Sequence, residues 1–129
     1  LSNAPGEDLA VLLPLDPDAS AERIRAALGA ERAVIISDTF GRPWREGLVD
    51  VAIGVAGLAP LRDYIGQTDR AGRELQVTVM ARADQIAAAA GLLMEKDKGQ
   101  PAVWVEGVAI EGRGTLRDLL RDPARDLFR

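Results

Sequence analysis

From Val49 to Ala56 the chain alternates without a break, with Val49, Val51, Ile53 and Val55 on one set of positions and Asp50, Ala52, Gly54 and Ala56 on the other. A period of two is the mark of a β-strand, whose successive side chains leave opposite faces. One face of this strand is β-branched and the other carries small residues. Other apolar stretches supply further strands. Leu9 to Leu13 is a short continuous run that reads as a buried strand, and Pro14, Asp16 and Pro17 break it. Ala33 to Ile36 is a second run, ending at Ser37-Asp38-Thr39. This predicts polar groups just past a strand's C-terminal end, beside a polar cleft. Leu75, Val77 and Val79 alternate, and Ala102 to Val105 is a last short run.

Between these lie helical signals. Asp18 or Ser20 can cap a helix with Glu22 in its first turn, Ile24, Ala27 and Leu28 on its apolar face, and Gly29 at its end. The Ala-rich stretch from Met80 to Met94 predicts a second helix, with Ile86, Ala89, Ala90 and Leu93 on one face. Thr115 can cap a final helix carrying Leu116, Leu119 and Leu120, ended by Pro123. Pro60 to Gly72 reads as a polar loop with one helical turn at Leu61 to Tyr64, and residues 126–129 as a tail with an apolar anchor. The expected class is α+β, with at least one mixed sheet and flanking helices, in a chain of 129 residues that suits one domain.

Composition narrows the chemistry. The chain has no Cys and no His. Disulfides, thiol nucleophiles, Cys- or His-ligated zinc and a Ser-His-Asp triad are excluded within it. Any metal must be held by oxygen, which points to Mg²⁺, Mn²⁺ or Ca²⁺. The net charge of −4 argues against nucleic acid or an anionic membrane as partner. No apolar run approaches the ~20 residues that span a bilayer, and no signal peptide is visible, so the cytoplasm is the expected location.

The most informative segment is Ile36-Ser37-Asp38-Thr39-Phe40-Gly41-Arg42-Pro43-Trp44-Arg45-Glu46-Gly47. Asp38 and Thr39 form a hard-oxygen pair suited to Mg²⁺ or Mn²⁺, and Arg42 and Arg45 can clamp phosphate or carboxylate oxygens. The competing reading is a strand-end turn in which Asp38 caps local amides. Residues 65–74 form a second polar cluster that is either an anion site or a solvated turn. Residues 93–101 link a helix to a strand, with Lys96 and Lys98 either touching phosphates or simply solvated. Gly107 to Thr115 imitates a phosphate-binding loop, but Arg113 stands where the motif needs Lys and Gly114 where it needs Ser or Thr. It reads as a decoy.

Several stretches together resemble the coenzyme F-420:L-glutamate ligase family. They are Ile36 to Gly47, then Val49 to Leu58, then Gly66, Gln67, Asp69, Gly72, Arg73 and Leu75 in a Gly-Gln-x-Asp-x-x-Gly-Arg-x-Leu pattern. Leu12-Leu13-Pro14 and Asp16 to Ala21 match upstream, and residues 126–129 match the domain end. Ser2-Asn3, which otherwise reads as a tag-removal scar, is similar to the family's Asp-x-Ser-Asn element, whose Asp would precede Leu1. The family's enzymes are about twice this length. The resemblance therefore implies the C-terminal part of the ligase domain, one half of an intertwined two-domain fold, without its N-terminal half. In some relatives a nitroreductase-like domain follows.

The resemblance implies GTP-dependent ligation of L-glutamate to the glutamate-free deazaflavin coenzyme F-420 precursor through an acyl phosphate, with two divalent ions, Mg²⁺ or Mn²⁺, and a monovalent cation as a further candidate. It implies that Asp38 holds one divalent metal and Thr39 the second. Asn3 becomes a GTP contact, and the second nucleotide loop is Met94, Glu95, Lys96, Asp97, Lys98, Gly99, Gln100 and Pro101. Arg42 and Arg45 position carboxylate or phosphate, and Asp50 or Asp69 takes the proton from the glutamate ammonium. The sequence departs from the family at Glu95, where Gly is usual, at Lys96, where some members use Gln as a metal ligand, and at Gln85, where Glu is usual. A homodimer is implied. The alternative is a non-catalytic dimerisation and partial ligand-binding fragment.

Overall fold

A computed structural model describes residues 2–3 and 9–126. Its centre is a long antiparallel hairpin of β3 (Val34–Arg42) and β4 (Arg45–Ala56). The tip is Pro43-Trp44. Proline sets φ near −65° and Trp44 takes a φ of 57°, the sign pattern of a type II turn. Two register shifts interrupt the ladder. One lies next to the tip, between Gly41 and Arg42. The other lets Ile36 pair with Gly54 and Ser37 with Ala52, so Ile53 is an extra residue in β4.

That bulge switches the phase of β4. Before it, Asp50 and Ala52 face helix α2 (Arg82–Gly91); after it, Val55 does. The buried core is small and sits here: Ala52, Val55, Leu58 and Ala83, flanked by Ala33, Ile35, Ile86, Leu116 and Leu119. On the other face, Gly54 lies under helix α1 (Pro17–Leu28), and a Cβ there would come 2.6 Å from the Pro17 carbonyl carbon. The small positions of the strand are therefore shared between two helices rather than forming one face.

Helix α1 begins at Asp16, whose carboxylate accepts from the Ala19 N–H at 2.9 Å, and Pro17 occupies the first turn. The cap is thus Asp16, not Asp18 or Ser20. Asp18 reaches across the fold instead. Its carboxylate accepts from the Val55 N–H at 2.7 Å and the Leu116 N–H at 3.0 Å, joining α1, β4 and the 3-10 turn that starts at Leu116. Gly29 ends the helix at a φ of 110°, donating to the Arg25 carbonyl at 3.0 Å. Ala21 is the buried residue of α1, whereas Ile24 and Leu28 are exposed. Helix α2 is likewise centred on buried Ala83 and Ala87, with Ile86 and Ala90 half-buried and Ala89 and Leu93 exposed. Alanine at these contacts lets the helix lie close to β4. In the first turn Asp84 accepts from the Ala52 N–H at 3.0 Å.

Other expectations change. Every ladder among the described residues is antiparallel, so the α+β class holds without a mixed sheet. The tight turn dictates this for β3 and β4, since parallel pairing needs a long crossover. β1 (Ser2–Asn3) and β2 (Ala10–Val11) form a two-residue ladder, and Leu9 to Leu13 is exposed rather than buried. Leu61 to Tyr64 is not helical: β5 (Leu61–Asp63) pairs with β6 (Val79–Ala81), while Val77 is exposed. Residues 101–106 contain no helix, turn or ladder. Thr115 starts only a 3-10 turn, Leu116–Leu119, and Pro123 opens another, Pro123–Arg125, instead of ending a helix. The expected apolar anchor at 127–129 and the side chain of Asn3 lie outside the described residues.

Because Asp18 satisfies two backbone amides from distant segments, Asp18→Ala should cost about 2–3 kcal/mol, mostly the desolvation of donors left without a partner. Urea unfolding followed by circular dichroism checks this. A loss equal to that of an exposed Asp→Ala change would show that water replaces the carboxylate.

Candidate functional site

The β3–β4 register decides which polar side chains meet. Thr39 pairs with Asp50, and Asp38 with Val51. Opposed residues share a face and sequence neighbours do not. Thr39 and Asp50 therefore stand together on the α2 side, and Asp38 stands with Val51 on the other side. Both Asp38 and Thr39 are half-buried and lie mid-strand, not past a strand end. Polar side chains do not interrupt a ladder built from backbone groups, so β3 continues to the turn at Pro43. Asp38 Oδ1 accepts from the Thr39 N–H at 2.7 Å, a local amide contact that uses one of its two oxygens.

Asp50 lies against the C-terminal end of α2. A Cβ on Gly91 would overlap its Oδ2, so only glycine leaves room for the carboxylate there. Gly91 is a site-shaping residue with no signal in the sequence, since an isolated glycine near a helix end reads first as a stop. From this point the chain enters the 94–101 loop. Met94 and Pro101 line one groove with Ser37, the residue before Asp38. Glu95, Lys96, Asp97, Lys98, Gly99 and Gln100 are exposed. The Lys98 N–H donates to the Glu95 carbonyl at 3.3 Å, and its ammonium lies 3.9 Å from the Glu95 carboxylate. Such an exposed pair holds little and leaves the lysine usable.

Arg42 and Arg45 face each other where the hairpin turns, and both are exposed. Arg42 donates to the Glu46 carbonyl at 3.1 Å. Four steps along the strand separate Arg42 from Asp38, roughly 13 Å. The arginines therefore reach a ligand that extends from Asp38 toward the tip, not one confined to Asp38.

Asp69 is placed elsewhere. It sits in the loop between β5 and β6, and that hairpin meets the N-terminal end of α2, where Pro60 accepts from the Ala83 N–H at 3.0 Å. Asp50 is at the opposite end of α2, a helix of 10 residues and so roughly 15 Å long. Asp69 Oδ1 accepts from the Arg73 N–H at 2.9 Å and the Ala71 N–H at 2.8 Å, and Oδ2 pairs with the Arg73 guanidinium at 3.1 Å. The second polar cluster is thus a turn folded around one carboxylate. The Arg73 N–H, then the Ala71 N–H and the Arg73 side chain, hold the Asp69 carboxyl below its usual range, while partial burial acts in the opposite direction. The 107–115 stretch is also structural: the Glu111 carbonyl accepts from the Ala59 N–H at 3.0 Å, and its carboxylate pairs with Arg62.

Asp38 on one face of β3, and Thr39 with Asp50 on the other, offer only oxygen donors, the kind that suits Mg²⁺ or Mn²⁺. No group of three or more acidic or other metal-binding side chains occurs among the described residues. Mg²⁺ does not require one, since it is bound through one or two carboxylates while waters and substrate phosphates complete its octahedron.

The chain is similar to known proteins along most of its length. A family model described as F420-0:Gamma-glutamyl ligase matches residues 1–107. Among curated proteins, the coenzyme F420:L-glutamate ligase of Methanothermobacter thermautotrophicus is 50% identical over 131 residues, covering 95% of this chain and 52% of the relative. The protein of the same name from Haloarcula marismortui is 47% identical over 133 residues, covering 99% and 51%. That of Methanopyrus kandleri is 45% identical over 138 residues, covering 99% and 54%. The chain spans about half the length of the curated relatives it matches.

The lowered carboxyl of Asp69 sets a pH prediction. A group whose folded pKa is depressed stabilises the fold above its unfolded pKa, about 3.9, and that contribution is lost as pH falls through the folded value. The Ala71 and Arg73 amide resonances should therefore hold their positions through the ordinary Asp range and move only at lower pH. In Asp69→Asn they should not titrate. Movement at the ordinary Asp pKa would refute the turn-holding role.

Proposed function

We propose, for a chain that belongs to the F420-0:gamma-glutamyl ligase family, that it takes part in coenzyme F-420 biosynthesis as the metal-bearing half of a ligase joining L-glutamate to the deazaflavin precursor. The observation that carries this is the register of β3 on β4. It sets Thr39 opposite Asp50 with Asp38 alongside, at the helix end from which the 94–101 loop departs.

GTP is the proposed activating substrate. Its γ-phosphoryl would pass to the precursor's terminal carboxylate as the β–γ anhydride bond breaks and GDP leaves, giving an acyl phosphate whose carbonyl the amine of L-glutamate attacks, forming the amide and releasing phosphate. Asp38 would hold one divalent ion and Thr39 a second, and these ions supply charge neutralisation at the phosphate oxygens. Because the two ligands leave opposite faces of β3, a triphosphate meets both by lying along that strand's outer edge. Lys96 and Lys98 reach phosphate oxygens from the loop, and Arg42 and Arg45 hold the part of the ligand nearest the hairpin tip. Asp50 is the better-placed base for the glutamate ammonium. Asp69 is occupied by its own turn, and its lowered pKa weakens it as a proton acceptor. A homodimer, a monovalent cation and a cytoplasmic location remain part of the proposal on family grounds.

A second reading, a non-catalytic dimerisation and ligand-binding module, draws on one observation. The described core consists largely of alanines, and Phe40, Trp44 and Leu48 stand exposed on the hairpin arm.

In a full-length protein carrying this sequence, Asp38→Asn should lower GTP- and Mn²⁺-dependent glutamate ligation by about a hundredfold or more, because the amide keeps the shape and loses the charge that anchors the cation. Thr39→Val should cost less, and Lys96→Gln should retain activity. The 129-residue chain by itself should bind GTP weakly in a calorimetric titration with Mn²⁺. Full turnover in Asp38→Asn would remove the metal assignment, and tight GTP binding by the chain alone would remove the need for any further polypeptide.

A further inference from the structure

β3 has one neighbour. β4 covers one edge, and no strand pairs with the other among the described residues. Residues 33–37, in and just before β3, and residues 101–105 both line a groove of about 540 Å³. Ile24 and Leu28 of α1 and Ala87 and Ala90 of α2 close its sides. The second segment is Pro101-Ala102-Val103-Trp104-Val105, a sequence that predicts a strand. Yet no backbone–backbone hydrogen bond engages residues 101–105 among the described residues. Two strand-forming segments thus face one cavity, neither paired with the other. The charged groups at the rim are already engaged, with Arg32 stacked 4.9 Å over the Trp104 ring and ion-paired to Glu31 at 3.6 Å. Trp104, Val105, Ile24 and Leu28 are left exposed.

We infer that this groove receives one extended, apolar polypeptide strand, hydrogen-bonded on both sides to Ala33–Ser37 and Ala102–Val105, and that the strand comes from the portion of the longer ligases that this chain does not span. Amides on both segments that no described residue pairs favour a backbone over a small apolar ligand, because strand addition satisfies them and a hydrocarbon leaves them desolvated. The relatives supply the occupant, since each carries about as much polypeptide again beyond the matched stretch. The inserted strand would turn three separate pieces into one sheet ending next to Asp38. This inference rests on family membership and not on the choice of nucleotide, so a failure of GTP binding would leave it standing.

Hydrogen exchange tests it in two proteins, this chain and the full-length Methanothermobacter thermautotrophicus relative. Amides aligned with 102–105, and those of 34–37 that point away from β4, should exchange freely in this chain and be slowed in the relative by at least about tenfold, the equivalent of one ordinary hydrogen bond. A second arm replaces the relative's residues aligned with Val103 and Trp104, one at a time, by Pro and by Ala. Successive N–H groups of a strand point to opposite edges, so one of the two prolines should lower thermal stability well beyond its alanine control. Should α2 itself exchange freely in this chain, the proline and alanine pairs decide alone. Equal exchange in the two proteins, or prolines no worse than alanines, overturns the inference. Protection in this chain that rises with its own concentration overturns it too, since a second copy would then be the occupant.

Discussion

A Cβ at position 54 would come 2.6 Å from the Pro17 carbonyl carbon, and this clearance governs how α1 lies on β4. Glycine there allows the helix to approach until Asp18 can reach two backbone amides across the fold. On the opposite face the same economy of side chains operates through Ala52, Ala83 and Ala87, and Asp84 reaches the Ala52 amide. The hairpin is therefore clasped from both faces by helices whose contacts are small residues and whose ties are carboxylates. Hydrophobic area from such a core is modest, and the part-buried carboxylate–amide contacts supply specificity that alanines alone lack.

The proposed site follows from that clasp. With α2 held by Ala83 and Asp84 at one end, its other end falls on Asp50, and Gly91 provides the space. The strand opposite then brings Thr39 to Asp50. No loop has to be positioned independently to assemble these groups, since they project from a ladder and a helix end, which are the more rigid supports available. The loop from Met94 to Pro101 is the adaptable element beside them.

Much of the architecture was legible in the residues. The alternation from Val49 to Ala56 marked β4, the alanine-rich stretch marked α2, and Gly29 marked the end of α1. What was hidden was phase and partnership. The bulge at Ile53 cannot be seen in a pattern that alternates without interruption, yet it decides that Ala52 and Val55 share a face. Helix faces were read from large residues such as Ile24 and Leu93, whereas close packing selected alanines. The pairing of Asp38 with Thr39 was legible as a polar doublet, but not that the two leave opposite faces, because nothing local announces that a strand continues through polar residues. Asp69 looked like a candidate base because its bonds are local backbone contacts that composition does not reveal.

The chain's two tryptophans divide the molecule optically. Trp44 occupies the hairpin tip at 84% exposure, while Trp104 stands beside the groove with Arg32 stacked on its ring. An indole under a guanidinium beside the groove and a largely exposed one at the tip emit differently, and no third tryptophan confuses the signal. Intrinsic fluorescence therefore separates the arm from the groove without any label, once either tryptophan is replaced by phenylalanine.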